Sequence, residues 1–266
     1  PGGLIHVNVV GCALFAAISG SSAATVATVG KMSIPELRKR KYPEKILLGS
    51  LAGSGTLGLL IPPSIILIIY GVTVQESIAK LFIAGIIPGI MIALIFMGYV
   101  IVWSLLNKNK MPTKYENFSF LIKLGKSKQL IPVILLILGV IGSIYTGIAT
   151  ATEAASLGVV GALILSYFQK SLTFKTFKDS LLGATKTSCM IAFILAGATF
   201  LSLAMGFTGL PRNLALWIQN MELSPYVLIF VLMIFYIILG MFLDGISAVV
   251  LTMAIIEPMI RQAGFD

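Results

Sequence analysis

A polar, glycine-rich break inside apolar sequence constrains this fold more than any other feature. It reads Ile18-Ser19-Gly20-Ser21-Ser22, and it is followed by Gly53-Ser54-Gly55-Thr56 and then by Ile61-Pro62-Pro63-Ser64. Hydrocarbon offers no water to the backbone groups that such breaks set free. Irregular chain therefore survives at membrane depth only where it is buried in protein or lines a cavity. Broken helices of this kind indicate the binding site of a transporter.

The composition assigns the chain to the membrane proteins. Of its 266 residues, 58% are hydrophobic and 11% are charged, which is too apolar for one soluble core. We therefore predict an all-α polytopic membrane protein. Cys12 and Cys189 stand in apolar runs without metal-ligand spacing, so we interpret them as packed residues and not as a disulfide or a metal site.

The net charge of +9 reflects topology, not a nucleic-acid partner. Sixteen of the nineteen Lys and Arg residues fall within the segments 31–45, 108–128 and 170–186. Clustering of this kind follows the positive-inside rule and places these segments in the cytoplasm. The run Arg38-Lys39-Arg40-Lys41 is interpreted as a solvated loop that also contacts anionic lipid headgroups.

The pattern of apolar runs, breaks and basic loops divides the chain into seven parts. We predict a first re-entrant hairpin at 1–33, a basic loop and broken transmembrane helix at 34–72, an inward-returning helix at 73–106, a cytoplasmic lysine-rich loop at 107–128, transmembrane helices of a second repeat at 129–225, a second re-entrant hairpin at 226–260, and the start of further spans at 261–266.

The two hairpins enter from opposite sides of the membrane by this charge count, which is the pattern of inverted-topology repeats. Residues 19–29 align loosely with residues 243–253, which agrees with a repeat. A basic segment followed by a cleavage site is not seen before the first apolar run. We therefore expect the chain to begin and end inside a longer protein.

Asp244 is the strongest single candidate, because it follows eighteen apolar or glycine residues in a row, Tyr226 to Leu243. A carboxylate near the membrane centre costs roughly 2.5 to 3.5 kcal/mol on insertion scales, so it is seldom placed there without a partner. The functional interpretation is a cation ligand or a substrate contact. The alternative is that Asp244 caps the following helix, and this alternative does not exclude binding.

The first break offers serine hydroxyls and backbone carbonyls at 19–22, the oxygen ligands that hard cations prefer. We interpret Ala23-Ala24-Thr25, in contrast, as small-residue packing. The string Gly53-Ser54-Gly55-Thr56-Leu57-Gly58 matches a dinucleotide-binding pattern by accident, since no strand precedes it. We expect it instead to unwind the helix before Pro62 and to expose carbonyls beside Ser54 and Thr56.

Two further acid and base candidates have simple structural alternatives. Glu153, with Thr150 and Thr152, stands in a threonine-rich break and either caps a helix or binds a ligand. His6, beside Asn8, is either a proton relay or a packed residue.

An intramembrane serine hydrolase that uses Ser19 or Ser22 with His6 is disfavoured, because the nucleophile-elbow pattern is missing. We predict no catalysis; a passive scaffold is disfavoured by the two opposed polar tips.

Five motifs resemble the large membrane subunit of the tripartite ATP-independent periplasmic (TRAP) transporters, and the similarity covers essentially the whole chain. The motifs are Pro1-Gly2-Gly3-Leu4-Ile5-His6-Val7-Asn8-Val9, Ile18-Ser19-Gly20-Ser21-Ser22-Ala23, Gly55-Thr56-Leu57-Gly58-Leu59-Leu60-Ile61-Pro62-Pro63-Ser64, Tyr145-Thr146-Gly147-Ile148-Ala149-Thr150-Ala151-Thr152-Glu153-Ala154-Ala155 and Gly240-Met241-Phe242-Leu243-Asp244.

The resemblance implies an elevator-type carrier in the bacterial cytoplasmic (inner) membrane. Such a carrier imports an organic acid, of the sialic acid or C4-dicarboxylate class, with sodium as the coupling ion and without a cofactor. A periplasmic substrate-binding protein would deliver the acid, and a small four-helix membrane subunit would be a second partner. An alternative is a free-standing sodium/anion symporter that needs no binding protein.

The resemblance also implies roles for particular residues. Ser19, Gly20, Ser21 and Ser22 would form one sodium site with Gly53, Ser54, Gly55 and Thr56. Asp244, Gly245 and Ser247 would share a second sodium site with a later broken helix. Ser19, Ser64 and Asp244 would face the substrate, and Pro62, Pro63, Thr150, Thr152 and Glu153 would mark helix breaks. Gly245 departs from the family pattern, in which many relatives have proline, and this puts the conformation of the second tip in doubt.

Overall fold

The computed structural model describes residues 2–112, 131–209, 213–214, 216–217, 221 and 224–265. This part of the chain is helical throughout and contains no strand, as the all-α prediction requires. Its α-helices are α1 His6–Ser19, α2 Ser22–Lys39, α3 Glu44–Gly55, α4 Ile65–Val74, α5 Ile78–Leu106, α6 Ile131–Tyr145, α7 Ala151–Phe168, α8 Phe174–Thr208, α9 Pro225–Leu239 and α10 Gly245–Gln262.

Three helices of the described chain, α5, α7 and α8, are long and apolar enough to cross a membrane. Their most apolar windows have mean hydropathies of 2.5, 1.5 and 2.1. The shorter apolar segments include α4, α6 and α9. Large apolar side chains such as Ile87, Phe193 and Phe207 are exposed, at 77%, 82% and 92%. Such a surface suits a lipid environment, and the chain is a polytopic membrane protein.

The chain forms two compact units. The first comprises Pro1–Ile68 and Ser77–Ser171, and the second comprises Ile69–Glu76 and Leu172–Asp266.

The centre of the first unit is the antiparallel pair α1 and α2, which packs on α3. One apolar cluster contains Cys12, Val29 and Leu51, and a second contains Ile5, Leu37 and Leu47. The ends of the hairpin distant from its tip are tied together, because the Leu4 N–H donates to the Tyr42 hydroxyl at 3.1 Å.

The turn between α2 and α3 is closed by an exposed ion pair. Arg38 donates to both carboxylate oxygens of Glu44, at 2.7 and 3.1 Å. This hydrogen bonding holds the pKa of the Glu44 carboxyl below its ordinary value. The pair links the end of the hairpin to the helix on which the hairpin packs.

Helix α5 lies against the broken segment between α3 and α4. A Cβ at Gly85 would approach the Leu60 carbonyl oxygen to 2.8 Å, and one at Gly89 would approach Ile61 Cγ1 to 2.9 Å. These two glycines therefore permit the close contact. In the same unit α6 and α7 form a hairpin, and Phe82 of α5 clusters with Ile144 and Ala154 of that hairpin.

The second unit contains α8 and a hairpin of α9 and α10. The Tyr236 and Thr252 hydroxyls hydrogen-bond across the hairpin at 2.6 Å. Its two ends meet where the rings of Tyr226 and Phe265 make an edge contact, with centroids 6.4 Å apart. Arg261, near the end of α10, pairs with Glu257 and also with Glu76, at 2.9 Å from the latter.

Several helix boundaries differ from the sequence prediction. Helix α2 continues to Lys39, past the predicted hairpin limit at residue 33, and α8 begins at Phe174, inside the basic segment 170–186. In both helices a charged segment extends an apolar one, because Lys, Arg and Glu are good helix formers. The predicted loop at 107–128 lies largely outside the described residues.

Candidate functional site

The tip of the first hairpin consists of two residues between α1 and α2. Gly20 ends α1 in the left-handed conformation (φ 57°), which glycine adopts without steric cost. Ser21 is extended and caps α2, since its hydroxyl accepts the Ala24 N–H at 3.5 Å. The chain thus reverses direction within a very short polar segment.

Three oxygen atoms converge inside this tip. Ser19 Oγ lies 2.9 Å from Thr25 Oγ1 and 3.3 Å from the Ser21 carbonyl oxygen, and Thr25 Oγ1 donates to that carbonyl at 2.8 Å. Thr25 is fully buried. The sequence interpretation of Thr25 as a packing residue was incomplete. Its position four residues after Ser21, on the same helical face, is the signal that could have identified it.

The helix break between α3 and α4 packs directly on the tip. The Ile65 N–H donates to the Gly20 carbonyl oxygen at 3.4 Å. A Cβ at Gly58 would lie 3.0 Å from the Ser21 carbonyl carbon and 3.1 Å from the Ser22 nitrogen. A Cβ at Gly20 would lie 3.0 Å from the Pro63 carbonyl oxygen. The backbone of the tip contacts the backbone of the helix break, and Gly20 and Gly58 make this close approach possible.

The segment Gly53-Ser54-Gly55 does not unwind, contrary to the expectation from its sequence. It is the last turn of α3, and the chain leaves the α-helix at Thr56 in a 3₁₀ turn, Thr56–Leu59. The Ser54 hydroxyl donates to the Ser50 carbonyl, and the Thr56 hydroxyl donates to the Gly53 carbonyl at 2.7 Å. The second bond, together with the Thr56 N–H, satisfies the Gly53 carbonyl that we expected to be exposed. Gly55 instead allows close packing on Val26.

Ser64 lies at the end of the break and is fully buried. Its hydroxyl donates to the Leu59 carbonyl oxygen at 2.6 Å and so closes the loop around Pro62 and Pro63. Both prolines lie between the 3₁₀ turn and α4, as the sequence indicated.

Asp244 caps α10 at the tip of the second hairpin. One carboxylate oxygen accepts the N–H groups of Ile246 and Ser247 at 3.1 and 3.3 Å. The tip is exposed: Met241 and Phe242 retain 75% and 82% of their accessible surface. Gly245 is the first residue of α10 and Ser247 follows in its first turn. The capping interpretation of Asp244 is thus correct, and the Ser247 side chain also hydrogen-bonds to this carboxylate.

Glu153 and Thr150 form a capping box at the start of α7. The Thr150 N–H donates to the Glu153 carboxylate at 2.8 Å, and the Glu153 N–H donates to the Thr150 hydroxyl at 3.3 Å. Thr152 lies in the first turn of α7, not in the break itself. Of the two interpretations that the sequence left open for Glu153, the structure shows the cap.

Asn8 is a polar residue whose importance the sequence did not reveal. Its side chain is fully buried, and its amide nitrogen donates to the Leu47 carbonyl at 3.1 Å and to the Ser50 hydroxyl at 3.0 Å. An asparagine inside an apolar run is a signal for such a buried contact, but its partners are about forty residues away. His6 lies beside Gly2 at the start of α1.

The predicted site residues fall into two groups. The first unit brings together Ser19 to Ser22, the end of α3 and Ser64, whereas Asp244, Gly245 and Ser247 belong to the second unit. Among the described residues, no cluster of three His, Cys, Asp or Glu side chains could hold a metal ion. Oxygen atoms at the first tip therefore come from hydroxyls and carbonyls.

Comparison with known proteins gives a consistent result. A family model described as "Tripartite ATP-independent periplasmic transporter, DctM component" matches residues 1–266. The chain is 33% identical to the C4-dicarboxylate TRAP transporter large permease protein DctM of Pseudomonas aeruginosa, over 100% of this chain and 62% of the relative. It is 32% identical to the sialic acid TRAP transporter large permease protein SiaM of Vibrio cholerae, again over 100% and 62%. For the ectoine/5-hydroxyectoine large permease protein UehC of Ruegeria pomeroyi, the identity is 33% and the shares are 100% and 61%. The chain thus spans about three fifths of the length of these relatives.

Proposed function

Because the chain belongs to the DctM family of tripartite ATP-independent periplasmic transporters, we propose that it imports a small organic acid across the bacterial cytoplasmic membrane, with sodium as the coupling ion. This is a family of transporter components and not of enzymes, as predicted. The names of the relatives, which include C4-dicarboxylate and sialic acid permeases, support an organic acid as the substrate. An elevator movement, in which the site is displaced past a static scaffold, is the mechanism that the resemblance implies.

The observation that carries the proposal is the enclosure of the first tip by the helix break. Three oxygens converge at Ser19, Ser21 and Thr25, and the break approaches the same backbone. Hydroxyl and carbonyl oxygens suit a hard cation without a buried full charge. We place one sodium site here, with the segments 19–22 and 53–56. Since the carbonyl of Gly53 already accepts a hydroxyl, that site requires the Thr56 side chain to rotate.

The second hairpin supplies the remaining predicted contacts. Asp244, Gly245 and Ser247 would bind a second sodium together with a broken helix beyond these 266 residues. Ser19, Ser64 and Asp244 would face the substrate.

The ends of the hairpins support opposite re-entrant topologies. The first hairpin is tied at its open end to Tyr42, beside the basic loop. The second is closed at its open end by Tyr226 and Phe265, and there Arg261 pairs with Glu76 between α4 and α5. By the positive-inside rule the first end, beside the basic loop, would be cytoplasmic. The predicted broken helix at 34–72 would cross the membrane from that loop, so the second end, beside Glu76, would be periplasmic. Two hairpins of opposite entry match inverted repeats.

Two protein partners complete the proposal. A periplasmic substrate-binding protein would deliver the acid, and a small four-helix membrane subunit would pack beside the large one. One relative from Oleidesulfovibrio alaskensis is named as an isethionate TRAP transporter permease protein DctMQ. We expect no nucleic-acid partner, and membrane lipids would contact the basic loops.

The proposal is tested by uptake of radiolabelled sialic acid and succinate into proteoliposomes. These hold the full-length protein with its small subunit, and the sodium gradient and the binding protein are each supplied or omitted. Uptake that requires both supports the proposal and identifies the substrate class. Uptake with sodium but without binding protein would assign the protein to free-standing symporters and contradict the partner prediction.

The first sodium site is tested by the double variant Ser21→Ala, Ser22→Ala. If these side chains contribute to the site, the sodium concentration for half-maximal uptake rises by about tenfold. The control is Ser104→Ala, because that hydroxyl is also buried and donates to a backbone carbonyl, at 2.7 Å, but lies on α5 away from the tip. An unchanged sodium dependence in the double variant would count against a side-chain role.

A further inference from the structure

A polar layer separates two apolar layers where α1, α2 and α3 pack together. On the tip side of it lie Cys12, Val29 and Leu51, and on the other side lie Ile5, Leu37 and Leu47. Between them each helix contributes one polar residue: Asn8 on α1, Ser33 on α2 and Ser50 on α3. Their side chains are buried, at 0%, 6% and 8% exposure.

The Asn8 side chain donates hydrogen bonds across the helix interface, but its oxygen accepts none among the described residues. Its amide nitrogen donates to the Leu47 carbonyl at 3.1 Å and to Ser50 Oγ at 3.0 Å, and Ser50 Oγ in turn donates to Leu47 at 3.1 Å. The side-chain amide oxygen of Asn8 (Oδ1) and Ser33 Oγ are buried, and neither has a hydrogen-bond partner among the described residues. A buried polar group without a partner costs stability, so packing alone does not account for this layer.

Asn8 and Ser33 occupy the same level of the hairpin. A Cβ at Gly11 would contact Val29 Cγ1 at 3.4 Å, so these two positions face each other. Asn8 lies three residues before Gly11, and Ser33 lies four residues after Val29. Steps of three and four residues keep the same helical face, so the two orphan oxygens belong to one layer.

We propose that Asn8 is a positioning residue that fixes the axial register of the first hairpin on α3. Apolar layers tolerate sliding, whereas an amide that must meet one carbonyl and one hydroxyl permits a single register. Helix α1 runs without interruption from Asn8 to Ser19, about 16 Å at 1.5 Å per residue. A register set at Asn8 therefore sets the position of the tip relative to the helix break. The effect of Asn8 on transport rests on the proposed function, but its effect on register does not.

The transport test compares Asn8→Leu with Ile5→Ala in the full-length protein. Leu has the same branched arrangement of side-chain heavy atoms and removes the orphan oxygen, so we expect the thermal midpoint to stay equal or rise. The sodium concentration for half-maximal uptake should rise about tenfold, because the tip is no longer held in one register. Ile5→Ala leaves a cavity in the neighbouring apolar layer. It should lower the thermal midpoint and change the sodium dependence by less than about twofold.

The register test uses no transport. Cys12 contacts the Ser54 side chain, one turn beyond the Asn8 layer, so Ser54→Cys places two thiols together between α1 and α3. In a Cys189→Ser background, two equivalents of copper(II) phenanthroline are added and take one electron each from these thiols. The two thiol protons go to water, and the disulfide forms. We expect cross-linking to be at least about threefold slower when Asn8→Leu is added, and unchanged when Ile5→Ala is added.

The outcomes separate the two proposals. Absence of sodium-stimulated uptake by the unmodified protein would overturn the proposed function, and the cross-linking rates would still decide the register claim. Equal cross-linking with and without Asn8→Leu would overturn the positioning role. If Asn8→Leu does not fold, Ser50→Ala replaces it in both tests and should slow cross-linking by about twofold; no change would overturn the proposal. In the double variant Asn8→Leu, Ser50→Ala, the second change should add nothing further.

Discussion

The two helical hairpins reverse direction in different ways. The first turns at a buried left-handed glycine, Gly20, and the hydroxyl of Ser21 caps its second helix. The second turns through an exposed apolar segment containing Met241 and Phe242, and the carboxylate of Asp244 caps its second helix. A neutral cap therefore lies where a broken helix encloses the tip, and a charged cap lies where the described structure leaves the tip open.

The difference follows from the cost of removing water. Enclosing a carboxylate without a full set of partners is expensive, whereas a hydroxyl is satisfied by one or two hydrogen bonds. At the first tip Ser19 and Thr25 satisfy each other and the Ser21 carbonyl. At the second tip two N–H groups hold one oxygen of Asp244. The second tip is thus the one that can offer a full negative charge to a cation.

The largest effect is expected from removal of that charge. Asp244→Ala should lower uptake by at least about 100-fold, because it removes a charged ligand, and the lost cap should cost only about 1 kcal/mol of stability. Initial rates of uptake and the thermal midpoint measure the two effects. Asp244→Asn is the matched variant: it retains a capping oxygen and should fold normally, yet fail in transport. Normal uptake by the Ala variant would contradict the assignment of Asp244.

At the first tip we expect a loss of stability of about 3 kcal/mol from Gly20→Ala. About half arises from the left-handed conformation, and the rest arises from the approach of the new Cβ to the Pro63 carbonyl. Gly147→Ala separates these causes, since Gly147 is also left-handed (φ 72°) but a Cβ there would meet nothing within 4 Å. Thermal unfolding of both variants checks this; equal losses would mean that the break does not press on the tip.

A smaller loss, about 2 kcal/mol, is expected from Gly58→Ala. The new Cβ would lie about 3 Å from the backbone of Ser21 and Ser22, which cannot rotate away. Gly98→Ala, in open space on α5, should instead stabilise the protein by up to about 1 kcal/mol. Unfolding midpoints of the pair decide the matter. If Gly58→Ala were as stable as Gly98→Ala, the helix break would not enclose the first tip, and the difference between the two tips would be contradicted.

The smallest effect is expected at the capping box of α7. Thr150→Ala should cost about 1 kcal/mol, because one N–H group loses its side-chain acceptor. Glu153→Gln should retain the box and leave sodium-driven uptake unchanged. Thermal unfolding and uptake assays measure these two variants. A tenfold loss of uptake in Glu153→Gln would show that this carboxylate binds a ligand in addition to capping.

The sequence was sufficient to predict the helical class, the two hairpins and the helix break, because each depends on local chemistry. Serines and glycines interrupt apolar runs at 19–22, and proline removes an N–H at 62 and 63. The sequence could not predict that Ser54 remains helical. The hydrogen bond from the Ser54 hydroxyl to the Ser50 carbonyl exists only once α3 is formed. Nor could the sequence pair Asn8 with Ser50, since that contact depends on the packing of distant segments.

The bond between the Ile65 N–H and the Gly20 carbonyl means that one helix is capped by a segment that is not adjacent to it in sequence. Helix α4 begins with donors that have no partner in the helix itself, and the hairpin tip supplies an acceptor for one of them. Withdrawal of the tip would leave that donor unsatisfied in a site with little water, at a cost of about 1 to 3 kcal/mol. The start of α4 is therefore stable only while the tip is in place, so a motion that separated the two would begin by fraying this helix.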